Sequence, residues 1–136
     1  MEIARIDYEG NLHCNAIHLK SGKEIETDAP TDNNGKGEAF SPTDLMSTSL
    51  GLCMITIMGI KARDMNIDLA GTSISVGKVM ASNPRRVAEI HLRIEVPTVV
   101  SARDRDILEA AGKACPVAKS LHPDVLQAVE FEWASA

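Results

Sequence analysis

Hydrophobic and polar positions alternate through the first thirty residues, and turn-forming residues cut the alternation into short runs. Residues 3–8 predict a strand, Glu9-Gly10-Asn11 a tight turn, and residues 12–19 a second strand. Lys20-Ser21-Gly22-Lys23 then turns the chain into a third strand over 24–28, which completes a β-meander. The alternation stops at residues 29–40 (APTDNNGKGEAF), a polar stretch with two Asn, two Gly and no periodicity. A loop of this length in a compact domain is either a functional segment or a connector.

A different period begins at Ser41. Ser41 is a good N-cap, Pro42 occupies the first helical position, and Asp44 stands where a capping-box acid and the helix dipole both favour a carboxylate. The spacing predicts a helix to about Asp64, roughly 24 residues and about 35 Å long. No charged residue falls between Leu45 and Ile60. At 100° per residue Leu45, Met46, Leu50, Leu52, Met54, Ile55, Ile57, Met58 and Ile60 cover most of the circumference, the mark of a helix buried at the centre of a protein or in a membrane. Ser47, Thr48, Ser49, Gly51, Thr56 and Gly59 make the segment too short and too polar for a membrane span. The expectation is a central helix buried on every side, which in so small a chain requires a second subunit.

Alternation returns over 71–80, and Ser82-Asn83-Pro84 reads as a turn. Residues 87–96 are the strongest strand, with Ala88, Ile90, Leu92, Ile94 and Val96 on a buried face and Val87, Glu89, His91, Arg93 and Glu95 on a wet one. Ser101 can cap a helix through about Gly112, and Cys115-Pro116 starts a short one reaching about His122. Val125, Ala128, Val129, Phe131 and Trp133 mark a last strand. The whole predicts one α+β domain over residues 1–136, an antiparallel sheet wrapped around the long helix.

Composition narrows the partners. A chain of 136 residues and 14.6 kDa can bury about two-thirds of its unfolded surface, enough for a core without staples. Its 14 basic residues are scattered among 19 acidic ones, for a net charge of −5. Aromatic residues are limited to Tyr8, Phe40, Phe131 and Trp133. Neither a phosphate-binding surface nor a base-stacking platform is expected, so nucleic acid is not a predicted partner. The charged, alternating start (Met1-Glu2-Ile3-Ala4-Arg5-Ile6-Asp7) lacks the apolar region of a signal peptide, and the expected compartment is a reducing cytoplasm.

The remaining chemistry lies in the cysteines. Cys53 sits mid-helix between Leu52 and Met54, where a thiol is either inert packing or a buried reactive group. Cys115 directly precedes Pro116 and so falls at a helix start, where the helix dipole favours a thiolate; a small residue at a junction is the plain alternative. Two cysteines 62 positions apart fit a peroxidatic and resolving pair, in which one becomes a sulfenic acid and the other closes a disulfide that an external thiol reductant reopens. Cys14 reads as strand-face packing. Cys14, His13, His18, His91 and His122 show no metal-ligand spacing, and phosphate and dinucleotide motifs are absent, so neither metal nor cofactor is expected. The methionines of the helix, among them Met46 and Met54, either pack the core or line an apolar pocket.

Ser41-Pro42-Thr43-Asp44-Leu45 with Leu50-Gly51-Leu52-Cys53, and Ala114-Cys115-Pro116-Val117 with Leu121, resemble the osmotically inducible protein C (OsmC-like) family, which includes organic hydroperoxide resistance proteins. The resemblance spans essentially the whole chain. It implies an intertwined homodimer with two long central helices between sheets and an active site at the subunit interface. It further implies a thiol peroxidase acting on small organic hydroperoxides, with Cys53 in the peroxidatic and Cys115 in the resolving position. Thr43, Asp44, Met46 and Met54 are the expected substrate-binding residues. Peroxidase branches of the family carry a Glu ten residues before the reactive cysteine, where this chain has Thr43, and an Arg in the early hairpin, which here reads Tyr8-Glu9-Gly10-Asn11-Leu12-His13. Arg5, Lys36 or Arg63 of a second subunit are candidate substitutes. The competing reading is a non-catalytic dimer of the same fold that binds a small apolar ligand or senses redox state through its thiols.

Overall fold

The computed structural model describes residues 1–136, which form an α+β fold of two three-stranded sheets and three helices. Two compact units divide the chain, Met1–Met46 and Ser47–Ala136. In the first unit, β1 (Ala4–Gly10), β2 (His13–His18) and β3 (Glu24–Asp28) make the expected antiparallel meander in sequential order. Gly10, Asn11 and Leu12 turn the first hairpin, all at positive φ. Register sorts the sheet's side chains into two faces. Ile6, Ala16 and Ile25 stand in one cross-strand row and Tyr8, Cys14 and Thr27 in the next, on one apolar face. The opposite face carries Arg5 and Glu24, then Asp7, Asn15 and Glu26, then His13 and Asp28.

The polar stretch after β3 is an ordered loop. It contains a 3-10 turn at Thr31–Asn33, and its two ends meet where the Asp28 N–H donates to the Phe40 carbonyl at 3.1 Å. Gly35 permits the closure: its N–H reaches the Pro30 carbonyl at 2.9 Å, and a Cβ there would lie 1.6 Å from the Ala29 carbonyl oxygen.

Helix α1 (Pro42–Asp64) has the predicted limits. In the second unit it is followed by β4 (Ser73–Ala81), β5 (Arg86–Val96), α2 (Ala102–Lys113), α3 (Pro116–Ser120) and β6 (Leu126–Trp133). The core is one face of the β4-β5-β6 sheet against α1: Ile90, Leu92 and Ile94 oppose Leu50, Met54 and Met58, all essentially without exposed surface. Gly51 marks the contact, its Cβ position lying 3.4 Å from Leu92 and 3.5 Å from Ile74. Helix α2 is held beside β6 by the Trp133 indole N–H, which donates to Glu109 at 2.9 Å, and by the Arg105 guanidinium over the Trp133 ring.

Two expectations need correction. The sheet is not one antiparallel sheet: there are two, and β6 runs parallel to β5, because the connection between them carries α2 and α3 and is long enough to return the chain to the starting edge. The alternation along β5 is broken near its start, where Val79 faces Glu89 but Met80 faces Val87. This bulge spends one extra residue, so Val87 is buried although it sits on the wet side of the simple pattern. By its own chain α1 is buried on one side only. Ser47, Leu50, Gly51, Met54, Met58 and Ala62 are buried, whereas Leu52 and Ile60 are 62 % and 55 % exposed. One sheet can cover only one side of a rod.

Candidate active site

Helix α1 presents Cys53 beside the buried Met54, and the junction of α2 and α3 presents Cys115. Cys115 is the N-cap of α3, with the extended backbone (φ −64°, ψ 154°) that a cap requires. Its Sγ accepts the Ala118 N–H at 3.4 Å, while its own N–H is fixed on the Gly112 carbonyl at 3.1 Å. Pro116, at the first helical position, has no N–H to satisfy there. The two side chains meet, with Cys115 in hydrogen-bonding contact with Cys53, and all three cysteines are free thiols.

The burial of this pair reverses the expected order. Cys115 is fully buried and Cys53 partly exposed. Desolvation pushes the Cys115 thiol above its ordinary pKa, the Ala118 N–H opposes this, and the contact with Cys53 adds to the rise. The expectation that the helix start would hold Cys115 as a thiolate is therefore corrected: burial outweighs the Ala118 and Val117 N–H groups of a five-residue helix. Burial, with Cys53 alongside, holds the proton on the Cys115 thiol.

The other predicted site residues fall in two places. Met54 lies in the second unit with the cysteines, wholly buried and packed toward α2. Thr43, Asp44 and Met46 lie in the first unit, at the start of α1. There Asp44 Oδ2 accepts the Ser41 N–H at 2.9 Å and Ser41 Oγ accepts the Asp44 N–H at 3.0 Å, a closed capping box, with Thr43 Oγ1 3.2 Å from Ser41 Oγ. Met46 is partly exposed. Two hollows of about 570 and 590 Å³ lie elsewhere on the second unit, one along Ile55, Gly59 and Arg63, the other over Gly77, His91 and Ala128. Neither contains a cysteine or a methionine.

One cluster escaped the sequence reading. The His13 Nδ1 lies 2.5 Å from the buried Asp28 carboxylate, and its Nε2 lies 3.3 Å from Glu26 and 3.5 Å from Glu9. Asp28 also accepts the Glu38 N–H at 3.0 Å, which ties the 29–40 loop to the sheet. The hydrogen bond to Asp28 raises the His13 pKa above 6.5, and the same bond lowers the Asp28 carboxyl below 3.8. The sequence misplaces this pair: counting back from a turn at 20–23 sets Asn15 opposite Asp28, whereas the loop spans 19–22 between His18 and Lys23 and sets His13 there instead.

A family model described as OsmC-like protein matches residues 35–129, most of the chain and both cysteine motifs. The chain belongs to the OsmC-like family. A crystal structure of an osmotic stress induced and detoxification response protein from Psychrobacter arcticus 273-4 superposes with a TM-score of 0.94 at 54% identity, covering 97% of this chain and 96% of that one. The fold also matches the organic hydroperoxide resistance protein OsmC of Legionella pneumophila (TM-score 0.76, 15% identity, 97% and 98% covered). An organic hydroperoxide resistance protein from Elizabethkingia anophelis matches as well (TM-score 0.70, 14% identity, 98% of each chain). No curated protein matches. Within the matched region of this OsmC-like chain, Cys53 lies along α1 and Cys115 at the start of α3.

Proposed function

We propose that this OsmC-like protein is a cysteine-dependent peroxidase that reduces small organic hydroperoxides. The observation that carries the reading is the contact of a partly exposed Cys53 with a buried, protonated Cys115. In the first step the Cys53 thiolate attacks the O–O bond of the hydroperoxide. An S–O bond forms, the O–O bond breaks and the alcohol leaves, so that sulfur is oxidised by two electrons to a sulfenic acid. Cys115 then attacks the Cys53 sulfur, its proton departs with the sulfenic oxygen as water, and a disulfide closes. An external dithiol reopens it by exchange, entering at Cys53, the sulfur that is partly exposed. Cys115, shielded from solvent, is protected from over-oxidation. Hydroperoxide resistance in the names of two fold relatives supports the substrate class.

The same reading takes the working form as a homodimer in a reducing cytoplasm. Support comes from two unpartnered apolar surfaces, the face of β1-β2-β3 bearing Ile6, Tyr8 and Ile25, and the side of α1 bearing Leu52 and Ile60. Thr43, Asp44 and Met46 are proposed substrate contacts, and a cation of the second copy is the proposed partner of the Cys53 thiolate. Consumption of cumene hydroperoxide in the presence of a dithiol tests the proposal. Turnover should vanish in Cys53→Ser, and equal consumption by the variant and the unaltered protein refutes it.

A further inference from the structure

Gly112 occupies the last turn of α2, three residues before Cys115, and it lies against α1. A Cβ at this position would sit 2.8 Å from Met58 Cγ, 2.9 Å from Met58 Sδ and 2.9 Å from Met54 Cγ. Side-chain carbons do not approach so closely, so one of the partners must move. Met54 and Met58 are fully buried under the β4-β5-β6 sheet and have little room to swing aside, whereas the end of α2 leads into a short, partly exposed helix. The backbone carries any displacement straight to the thiol, because the Gly112 carbonyl accepts the N–H of Cys115 at 3.1 Å and also that of the C-cap Ala114. A glycine inside a helix is otherwise unfavourable relative to alanine, and a close approach of this kind explains it.

We propose that Gly112 is a positioning residue: by bringing α2 into contact with Met54 and Met58 it sets Cys115 Sγ against Cys53 Sγ, and so governs how fast the Cys53–Cys115 disulfide closes. Disulfide geometry makes the demand strict, since Cβ atoms must come to about 3.5–4.5 Å. The inference rests on the peroxidase reading only for the use made of the bond. It is therefore tested with diamide, which needs no hydroperoxide. A thiolate adds to the azo bond, the second sulfur displaces the hydrazine, and two electrons and two protons leave the thiols.

Closure is followed by loss of free thiols and a mass decrease of two hydrogens, in a background where Cys14 is replaced by serine. Gly112→Ala should slow closure by tenfold or more. Met58→Ala removes two of the three crowding atoms, so the double variant Gly112→Ala/Met58→Ala should close within about threefold of the unaltered protein. Met58→Ala alone, which leaves a cavity and lowers the melting temperature, should also close normally, separating lost stability from lost positioning. Closure of Gly112→Ala at the unaltered rate overturns the inference. So does a folded double variant that closes no faster than the single one, and this variant decides the matter if Gly112→Ala alone does not fold. Absent hydroperoxide turnover with rapid diamide closure would count against the peroxidase reading and leave the role of Gly112 standing.

Discussion

At the scale of single residues, burial is what distinguishes the two thiols. Burial and the contact with Cys53 both hold the proton on Cys115, while Cys53 is the sulfur that solvent partly reaches. Replacing Cys115 by serine should therefore leave the first oxidation intact and stop the second. The expected result is one equivalent of hydroperoxide consumed, no further turnover, and a Cys53 sulfenic acid trapped by dimedone and seen by mass spectrometry. Continued turnover in Cys115→Ser would show that resolution does not need it. At the start of α1, Asp44 is engaged by the Ser41 backbone in a reciprocal cap. Ser41→Ala should lower unfolding free energy by about 1 kcal/mol in a denaturant titration, with the thiol-pair chemistry unchanged. Both positions were legible in the sequence, one from Cys-Pro at a helix restart and the other from Ser-Pro-x-Asp. What the sequence did not contain was depth. Whether Cys53 or Cys115 lies deeper depends on which side of α1 faces the sheet, and an all-apolar helix carries no mark of that. Gly112 shows the same limit, since a helical glycine signals a close neighbour without naming it.

Among the elements, those set by local chemistry were readable and those set by distant partners were not. The limits of β3 and α1 follow from turn and cap residues in the chain. The parallel placement of β6 depends on where α2 and α3 deliver it, and the β5 bulge on its pairing with β4. The 29–40 loop has no period because its order comes from tertiary bonds to Asp28 and not from repetition. That anchoring carries a pH dependence. His13 titrates above 6.5 in the folded protein, so its contribution is complete below 6.5 and is lost as pH rises through the raised value. Asp28 titrates below 3.8, so its contribution is present above 3.8 and is lost as pH falls through the lowered value. The charged pair is thus most stabilising between about 3.8 and 6.5, with Glu26 and Glu9 adding to the hold on the imidazolium. The difference in melting temperature between the unaltered protein and His13→Gln should be largest in that interval and should shrink on the alkaline side. A difference that stays constant from pH 5 to pH 9 would show that His13 is not charged in the folded state.

For the whole molecule, the decisive question is what covers the apolar surface that each unit leaves open. In the β1-β2-β3 sheet the charged face is paired internally, with His13 bonded to both Glu26 and Asp28, while the opposite face carries Ile6 at 70 % and Tyr8 at 66 % exposure. An antiparallel sheet normally sends its apolar face to a core and its polar face to water. Helix α1 breaks the usual pattern in a related way, apolar around its circumference but sheeted on one side. Contiguous exposed patches of this kind mark interaction surfaces in soluble proteins, and a stable interface buries about 1,200–2,000 Å² in total. In the proposed homodimer a second copy would supply the same two faces in return, which is the self-complementarity that a two-fold dimer requires. Sedimentation equilibrium should accordingly give twice 14.6 kDa for the unaltered protein. Ile25→Lys places a charge on the β3 edge of the open sheet face, next to Ala16 and in line with Ile6, without disturbing the core of the second unit. It should yield a folded 14.6 kDa monomer whose far-ultraviolet circular dichroism is preserved, and if the substrate site is completed by the second copy, the monomer should lose hydroperoxide turnover as well. An unaltered protein that sediments as a monomer at every concentration and still turns over hydroperoxide would instead place the whole reaction within one chain.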